Sequence, residues 1–114
     1  MTIRSCPAVD VHAHYGTYIQ RLGGTPTDAI NDSFMTADAA EVVQRARRVN
    51  VLTTIASPLL ALLPRFKADA VAGNIEAARV CAETPGIKQY VVIDPRRPET
   101  YRQADEMLSQ PQCV

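Results

Sequence analysis

The sequence AVDVHAH spans residues 8–14 and leads directly into a tyrosine and a glycine. Its valines predict a β-strand, and the glycine permits a turn where that strand ends. Successive side chains of a strand point to opposite faces, so we expect the valines and the second alanine on one face and Asp10, His12 and His14 on the other. The apolar face is expected to pack against helices, with the acid and the imidazoles on the far side.

Strand and helix patterns alternate through the rest of the chain. The sequence predicts, in order, a long connection over 17–35, a helix from an N-cap at Thr36 to about Val49, a strand over 51–57, a helix from about Lys67 to Thr84, a strand over 89–93, and a helix from Asp94 or Pro98 that ends before Pro111. Three such units predict an α/β fold with parallel strands and right-handed crossovers, in one domain over residues 1–114. A fourth strand would begin at Cys113.

The packing faces of these elements are also predicted by their patterns. The second helix is expected to bury Val71, Ile75, Ala78 and Ala82, and the third helix Tyr101, Ala104, Met107 and Leu108. The apolar run over 59–64 is too short to span a bilayer and is expected to be a loop or turn packed over the end of the sheet.

Composition excludes several classes of function. Twelve basic residues balance twelve acidic ones without a basic run, so we expect no nucleic-acid partner. The first residues lack the pattern of a secretory signal, and no segment is apolar enough to span a membrane, which predicts a cytoplasmic protein without a membrane partner. The three cysteines, Cys6, Cys81 and Cys113, are widely spaced and predict reduced thiols, with neither a disulfide framework nor a thiolate zinc site.

His12 and His14, here called the histidine pair, are the candidate metal ligands. Two histidines two positions apart on a strand place their imidazoles side by side, where both can bind one cation. The alternative is a pair of satisfied or solvent-exposed histidines, because His-x-His also arises by chance. A cation is favoured by the polar face of the strand, where buried imidazoles and a carboxylate would need partners.

This opening strand resembles that of the amidohydrolase superfamily, in particular its amidohydrolase-related branch of metal-dependent hydrolases and decarboxylases. Members of that branch begin with apolar-Asp-x-His-x-His, which residues 9–14 match. The resemblance continues more loosely through the first helix, the strand over 51–57, the helix that contains Gly73 and Asn74, and the segment that ends at Asp94 and Pro95. It covers essentially the whole chain, but only the histidine motif is specific.

The resemblance implies that the chain is the N-terminal part of a (β/α)8 TIM-type barrel, with His12 and His14 binding a divalent cation at its C-terminal mouth. The cation would most often be zinc, with manganese as another option. The family completes its site with histidines on middle strands and an aspartate on the last strand, and this chain has no counterpart of those positions. The implied reaction is metal-dependent hydrolysis of a small-molecule ester, lactone or amide.

Alternatives to that activity stay open. The first is metal-dependent decarboxylation by the same superfamily, and the second is a non-catalytic fragment or half-barrel that associates with itself or with a complementing chain through open sheet edges. A small doubly wound domain of the flavodoxin type is a third option, although its ligand loop would not ordinarily begin with Asp-x-His-x-His.

Three further residues near the histidine pair are candidates for the site. Asp10 is a candidate to orient an imidazole from outside the metal shell, or else a buried carboxylate bonded to backbone. Tyr15 and Tyr18 follow the histidines and are candidates to contact a substrate through ring and hydroxyl, or else to pack the loop. Ser57 ends the second strand without a histidine nearby in sequence, so a nucleophilic role for it is not favoured.

Overall fold

The computed structural model describes residues 6–16, 38–62 and 69–114. Its strands are β1 (Ala8–Tyr15), β2 (Val51–Pro58) and β3 (Ile87–Gln89), and its helices are α1 (Ala39–Arg48), α2 (Leu59–Leu62), α3 (Ala70–Glu83) and α4 (Glu99–Met107). The strands form one parallel sheet in the order β1-β2-β3. The predicted α/β class, with parallel strands joined by helices, is confirmed. The long connection predicted over 17–35 and the helix N-cap predicted at Thr36 lie outside the described residues.

Helix α1 begins with a carboxylate cap. Asp38 accepts a hydrogen bond from the backbone N–H of Ala40 at 2.8 Å, which satisfies one of the free donors of the first turn. The observed cap therefore lies two positions after Thr36, the N-cap that the sequence predicts. Three arginines in the last turn, Arg45, Arg47 and Arg48, complement the helix dipole at its C-terminal end.

Helices α2 and α3 pack closely through small residues. The loop predicted over 59–64 is wrong for its first four residues, which form α2 and bury Leu59 and Ala61. Gly73 of α3 lies so close to α2 that a Cβ atom at this position would be 2.5 Å from the backbone nitrogen of Ala61. Such an approach requires a helix face without large side chains.

The buried face of α3 consequently differs from the predicted one. Its buried residues are Ala70, Gly73, Asn74, Ala77 and Cys81. Ile75, which the sequence places in the core, is 61% exposed. Hydrophobic spacing alone favours the larger side chains, whereas the contact with α2 selects the small ones.

The third strand is shorter than predicted, but its ladder continues. β3 ends at Gln89, whereas the sequence predicts a strand over 89–93. The backbone N–H of Tyr90 still donates to Ala56 of β2 at 3.0 Å. On the other side, Gln89 forms a parallel bridge with Cys113, which is where a fourth strand is predicted to begin.

Val92, three residues after β3, is held by a buried asparagine instead of a neighbouring strand. Asn74 is fully buried, donates to the carbonyl of Val92 at 2.8 Å and accepts from the N–H of Val92 at 2.9 Å. Its amide also donates to Gln103 of α4 at 2.8 Å. A single polar side chain thereby joins α3, the segment after β3 and α4, and it satisfies backbone groups that a strand would otherwise pair.

The observed bounds of helix α4 agree with the prediction better than its buried face does. It begins after Pro98 and ends at Met107, before Pro111. Its buried residues are Thr100, Ala104 and Met107, while Tyr101 and Leu108 are 49% and 53% exposed. None of the helices in the described parts of the chain has the length and apolar character needed to cross a membrane.

The core lies between the sheet and two helices, α1 and α3. Its buried cluster combines residues from all three strands with residues from both helices: Tyr15, Ala39, Val43, Ala56, Ala77, Cys81 and Ile87. Because one cluster holds residues from α1 and α3 together, both helices pack against the same face of the sheet. This face is called the helix side below.

Candidate metal centre

Strand β1 contains a bulge next to the histidine pair. Asp10 is aligned with Thr54 of β2 and Ala13 with Ala56, so β1 takes three steps where β2 takes two. The extra residue lies within 10–13, a segment called the β1 bulge below. The Asp10 carboxylate stabilises it by accepting a hydrogen bond from the backbone N–H of His12 at 2.9 Å. Bulges of this kind reorient side chains and are common beside functional sites.

The bulge breaks the alternation that the sequence predicts for β1. Val9 and Val11 are 58% and 60% exposed, so the prediction that both valines pack beneath helices is wrong. Asp10 is aligned with Thr54, which is buried on the helix side, and residues aligned in a parallel ladder point to the same face. Asp10 therefore points to the helix side, and its predicted place on one face with both histidines is wrong too.

The histidine pair lies on the opposite face of the sheet, after the bulge. Ala13 and Tyr15 pack against the helix-side core, so His14 between them projects the other way. The ring of His12 lies beside that of His14, with centroids 5.3 Å apart and planes at 79°. Both histidines are exposed. The chain therefore presents two neighbouring imidazoles on one accessible surface.

A backbone carbonyl orients one of the two imidazoles. The Nδ1 atom of His14 lies 3.2 Å from the carbonyl oxygen of Ser57, with which His14 is aligned in the ladder. A carbonyl oxygen only accepts hydrogen bonds, so this contact requires a proton on Nδ1. In the neutral ring the lone pair is then on Nε2, which is the arrangement that metal-binding histidines adopt when a backbone carbonyl holds the other nitrogen. Ser57 thus contributes its backbone carbonyl to the orientation of His14.

The spacing of the two rings fits joint binding of one cation. With Zn–N bonds of about 2.0 Å, ring centres about 1.1 Å behind the nitrogens and a tetrahedral angle, two bound imidazoles would have centroids roughly 5 Å apart. The observed separation of 5.3 Å agrees with that value. The ring centroids therefore stand at a separation, called ligand spacing below, that two ligands of one zinc ion would also have.

The described residues supply no third protein ligand. Among residues 6–16, 38–62 and 69–114, no three histidines, cysteines, aspartates or glutamates come together in a group that could hold a metal ion. The hydrogen bond of Asp10 goes to the backbone of His12 rather than to an imidazole. Two imidazoles fill half of a tetrahedral zinc shell, which leaves the other half to water or to groups elsewhere.

Tyr15 is a core residue at this site. It is 7% exposed and belongs to the helix-side cluster, so packing, one of its two predicted roles, is what the structure shows. Burial raises the pKa of its hydroxyl above the ordinary value, and nearby Cys81 and Glu76 act in the same direction. Contact between Tyr15 and a substrate stays a prediction, and Tyr18 lies outside the described residues.

A cavity of about 330 Å³ lies between β1, β2 and α1. Its lining includes Asp10, Thr54, Val42 of α1 and also His14. The predicted separation of the histidines from the helices is therefore incomplete at His14.

Tyr90 belongs to this site although the sequence does not single it out. Its hydroxyl donates a hydrogen bond to the carbonyl of Val11 at 2.9 Å, across 79 positions of the chain. The sequence predicts Tyr90 only as part of the strand over 89–93, whereas the structure places it immediately after β3.

The comparisons with known proteins give no relatives: no protein-family model matches the chain, and no curated protein or solved structure is significantly similar to it. The geometry of the histidine pair is therefore the basis for a functional proposal.

Proposed function

We propose that the chain is the opening part of a metal-dependent hydrolase barrel of the amidohydrolase type, and that His12 and His14 bind its divalent cation, most often zinc. The observation that carries the proposal is the His14–Ser57 contact, which leaves Nε2 of His14 as the metal-binding atom beside a second imidazole at ligand spacing. A cation bound there would lower the pKa of a bound water and polarise the scissile carbonyl of an ester, lactone or amide.

The architecture supports the barrel part of the proposal. The strands are parallel and in sequential order, α1 and α3 pack against one face, and Cys113 extends the parallel order beyond β3. A barrel wall has this arrangement, whereas a doubly wound sheet carries helices on both faces. The histidine pair lies near the carboxyl end of β1, the end at which barrel enzymes place their sites.

The second proposal concerns what this chain can do alone. The described residues provide two imidazoles and no third ligand, and the outer edge of β1 pairs with no other described strand. Activation of a metal-bound water needs a fixed shell and usually a positioned acid or base. We therefore expect residues 1–114 alone to bind a cation weakly and to hydrolyse nothing until a complementing chain or a second copy completes the sheet.

The test is zinc uptake by residues 1–114 in equilibrium dialysis. The chain should take up one zinc ion, and the double variant His12→Ala/His14→Ala should lose that uptake, because these are the two histidines of the sequence. Cys6→Ser is the matched control, since Cys6 is an exposed thiol that also attracts zinc, and it should retain uptake. Equal uptake by the double variant would place the zinc elsewhere and overturn the proposal.

A further inference from the structure

Tyr90 reaches across the sheet to the strand that carries the histidine pair. It follows β3, its backbone N–H is bonded to β2, and its hydroxyl donates to Val11 of β1 at 2.9 Å. Gln89, its neighbour, is fully buried on the helix side, so the Tyr90 side chain projects to the opposite face. That is the face on which His12 and His14 lie.

The sheet register places Tyr90 and His14 in one row. His14 is aligned with Ser57 of β2, and Gln89 is aligned with Ala56, so Tyr90 stands beside Ser57. A small residue such as serine leaves room for the Tyr90 ring to pass over β2 toward β1. The carbonyl of the same Ser57 holds the His14 imidazole.

The carbonyl that Tyr90 binds belongs to the β1 bulge. A bulge disrupts the ladder locally, so its backbone groups need other partners. Two side chains provide them: the Asp10 carboxylate accepts from the N–H of His12, and the Tyr90 hydroxyl donates to the carbonyl of Val11. These two groups belong to the same peptide unit, the one that joins Val11 to His12. Its orientation is therefore fixed from both ends.

We infer that Tyr90 is a positioning residue for the metal site: by fixing the Val11–His12 peptide, its hydroxyl holds the His12 imidazole at ligand spacing from His14. This inference rests on the proposed function. In this inference Tyr90 keeps the β1 bulge in its metal-binding form, and the imidazoles of His12 and His14 bind the metal. Loss of groups that orient metal ligands typically lowers metal affinity by about 10- to 100-fold.

The test compares Co²⁺ binding, followed by visible absorption, in the wild-type chain and in Tyr90→Phe. The variant keeps the ring and removes the hydroxyl, and we expect at least about a tenfold weaker Co²⁺ affinity with an altered absorption spectrum. Tyr101→Phe, on the exposed face of α4, is the matched control and should bind as the wild type does. Affinities are compared at a temperature where thermal unfolding shows each protein to be folded.

The outcomes separate this inference from the proposed function. If the wild-type chain binds Co²⁺ and the Co²⁺ affinity of Tyr90→Phe is within about twofold of the wild-type affinity, the role of Tyr90 is overturned. The histidine pair then still stands as the proposed metal site. Co²⁺ binding by the wild type that equals binding by His12→Ala/His14→Ala would overturn both.

If Tyr90→Phe does not fold, the role of Tyr90 can still be tested by a measurement on the wild-type chain. Because coupling between two interactions is reciprocal, metal binding should strengthen the Tyr90–Val11 hydrogen bond. Zn²⁺ should therefore slow solvent exchange of the Tyr90 hydroxyl proton in NMR spectra. An exchange rate that Zn²⁺ leaves unchanged would count against the inference.

Discussion

The Nδ1 atom of His14 lies 3.2 Å from the carbonyl oxygen of Ser57, its aligned residue on the neighbouring strand. Because the carbonyl can only accept, the neutral His14 ring should carry its proton on Nδ1 and its lone pair on Nε2. Long-range ¹H–¹⁵N NMR of the metal-free chain at pH 8 should show this tautomer for His14. The opposite tautomer, with the proton on Nε2, would mean that Ser57 does not orient the ring.

The histidine pair could be predicted from sequence, whereas the geometry that makes it usable could not. His-x-His on a strand followed by helices already indicates neighbouring imidazoles. The β1 bulge, however, depends on a bond from Asp10 to the chain two positions later and on the hydroxyl of Tyr90, 79 positions from Val11. Alternation in a strand assumes an uninterrupted ladder, so the exposed Val9 and Val11 could not be foreseen.

Element order was similarly more predictable than packing faces. The parallel order follows from the strand-helix alternation, and Cys113 meets Gln89 where a fourth strand was expected to begin. The buried face of α3 depends instead on the close approach of Gly73 to Ala61, which no periodicity reveals. Asn74 likewise replaces a strand partner for Val92, a contact between residues 18 positions apart.

Stability should decrease in alkaline solution because two buried groups resist ionisation. Burial raises the pKa of Cys81 to about 11, with Cys113 nearby adding to the effect, and burial also raises the pKa of Tyr15. Both groups favour the folded chain fully below their unfolded pKa values, and this contribution is lost as pH rises, because only the unfolded chain then ionises freely. For Cys81 the loss begins near its ordinary value of 9.0.

Urea unfolding at pH 7, 9 and 11 measures this loss. The rise in the Cys81 pKa corresponds to at most about 3 kcal/mol across that range. Cys81→Ala and Tyr15→Phe should each show a smaller decrease between pH 7 and 11 than the wild type, and Tyr101→Phe should show the same decrease as the wild type. Identical pH profiles for all four proteins would contradict the burial of these groups.

Replacing Gly73 with alanine should destabilise the chain, although alanine is the better helix former. The added Cβ would lie 2.5 Å from the backbone of Ala61, so α2 and α3 must separate, at a cost of about 1–3 kcal/mol. Ile75→Ala on the exposed side of α3 should change the free energy of unfolding by less than about 0.5 kcal/mol. Chemical denaturation of both variants tests which face of α3 is buried. A larger loss of unfolding free energy in Ile75→Ala than in Gly73→Ala would favour the buried face predicted from the sequence.

The isolated chain is expected to self-associate through the edge of its sheet. β1 pairs with β2 on one side, no described strand pairs with its other edge, and Val9 and Val11 are exposed along it. Light scattering should show species larger than a monomer, and Val11→Lys should reduce them because an edge lysine opposes strand pairing. Val49→Lys is the control, since Val49 is 70% exposed but outside the sheet. If both variants reduce self-association equally, the cause is the added positive charge in general and not a block of pairing at the β1 edge.

X-ray absorption at the zinc edge of the zinc-loaded chain tests the central claim most directly, because it counts imidazole ligands. We predict two imidazole nitrogens at about 2.0 Å together with oxygen ligands, and a shell without imidazole in His12→Ala/His14→Ala. A wild-type spectrum with sulfur ligands, or with no imidazole scattering, would contradict the assignment of His12 and His14 as the metal site.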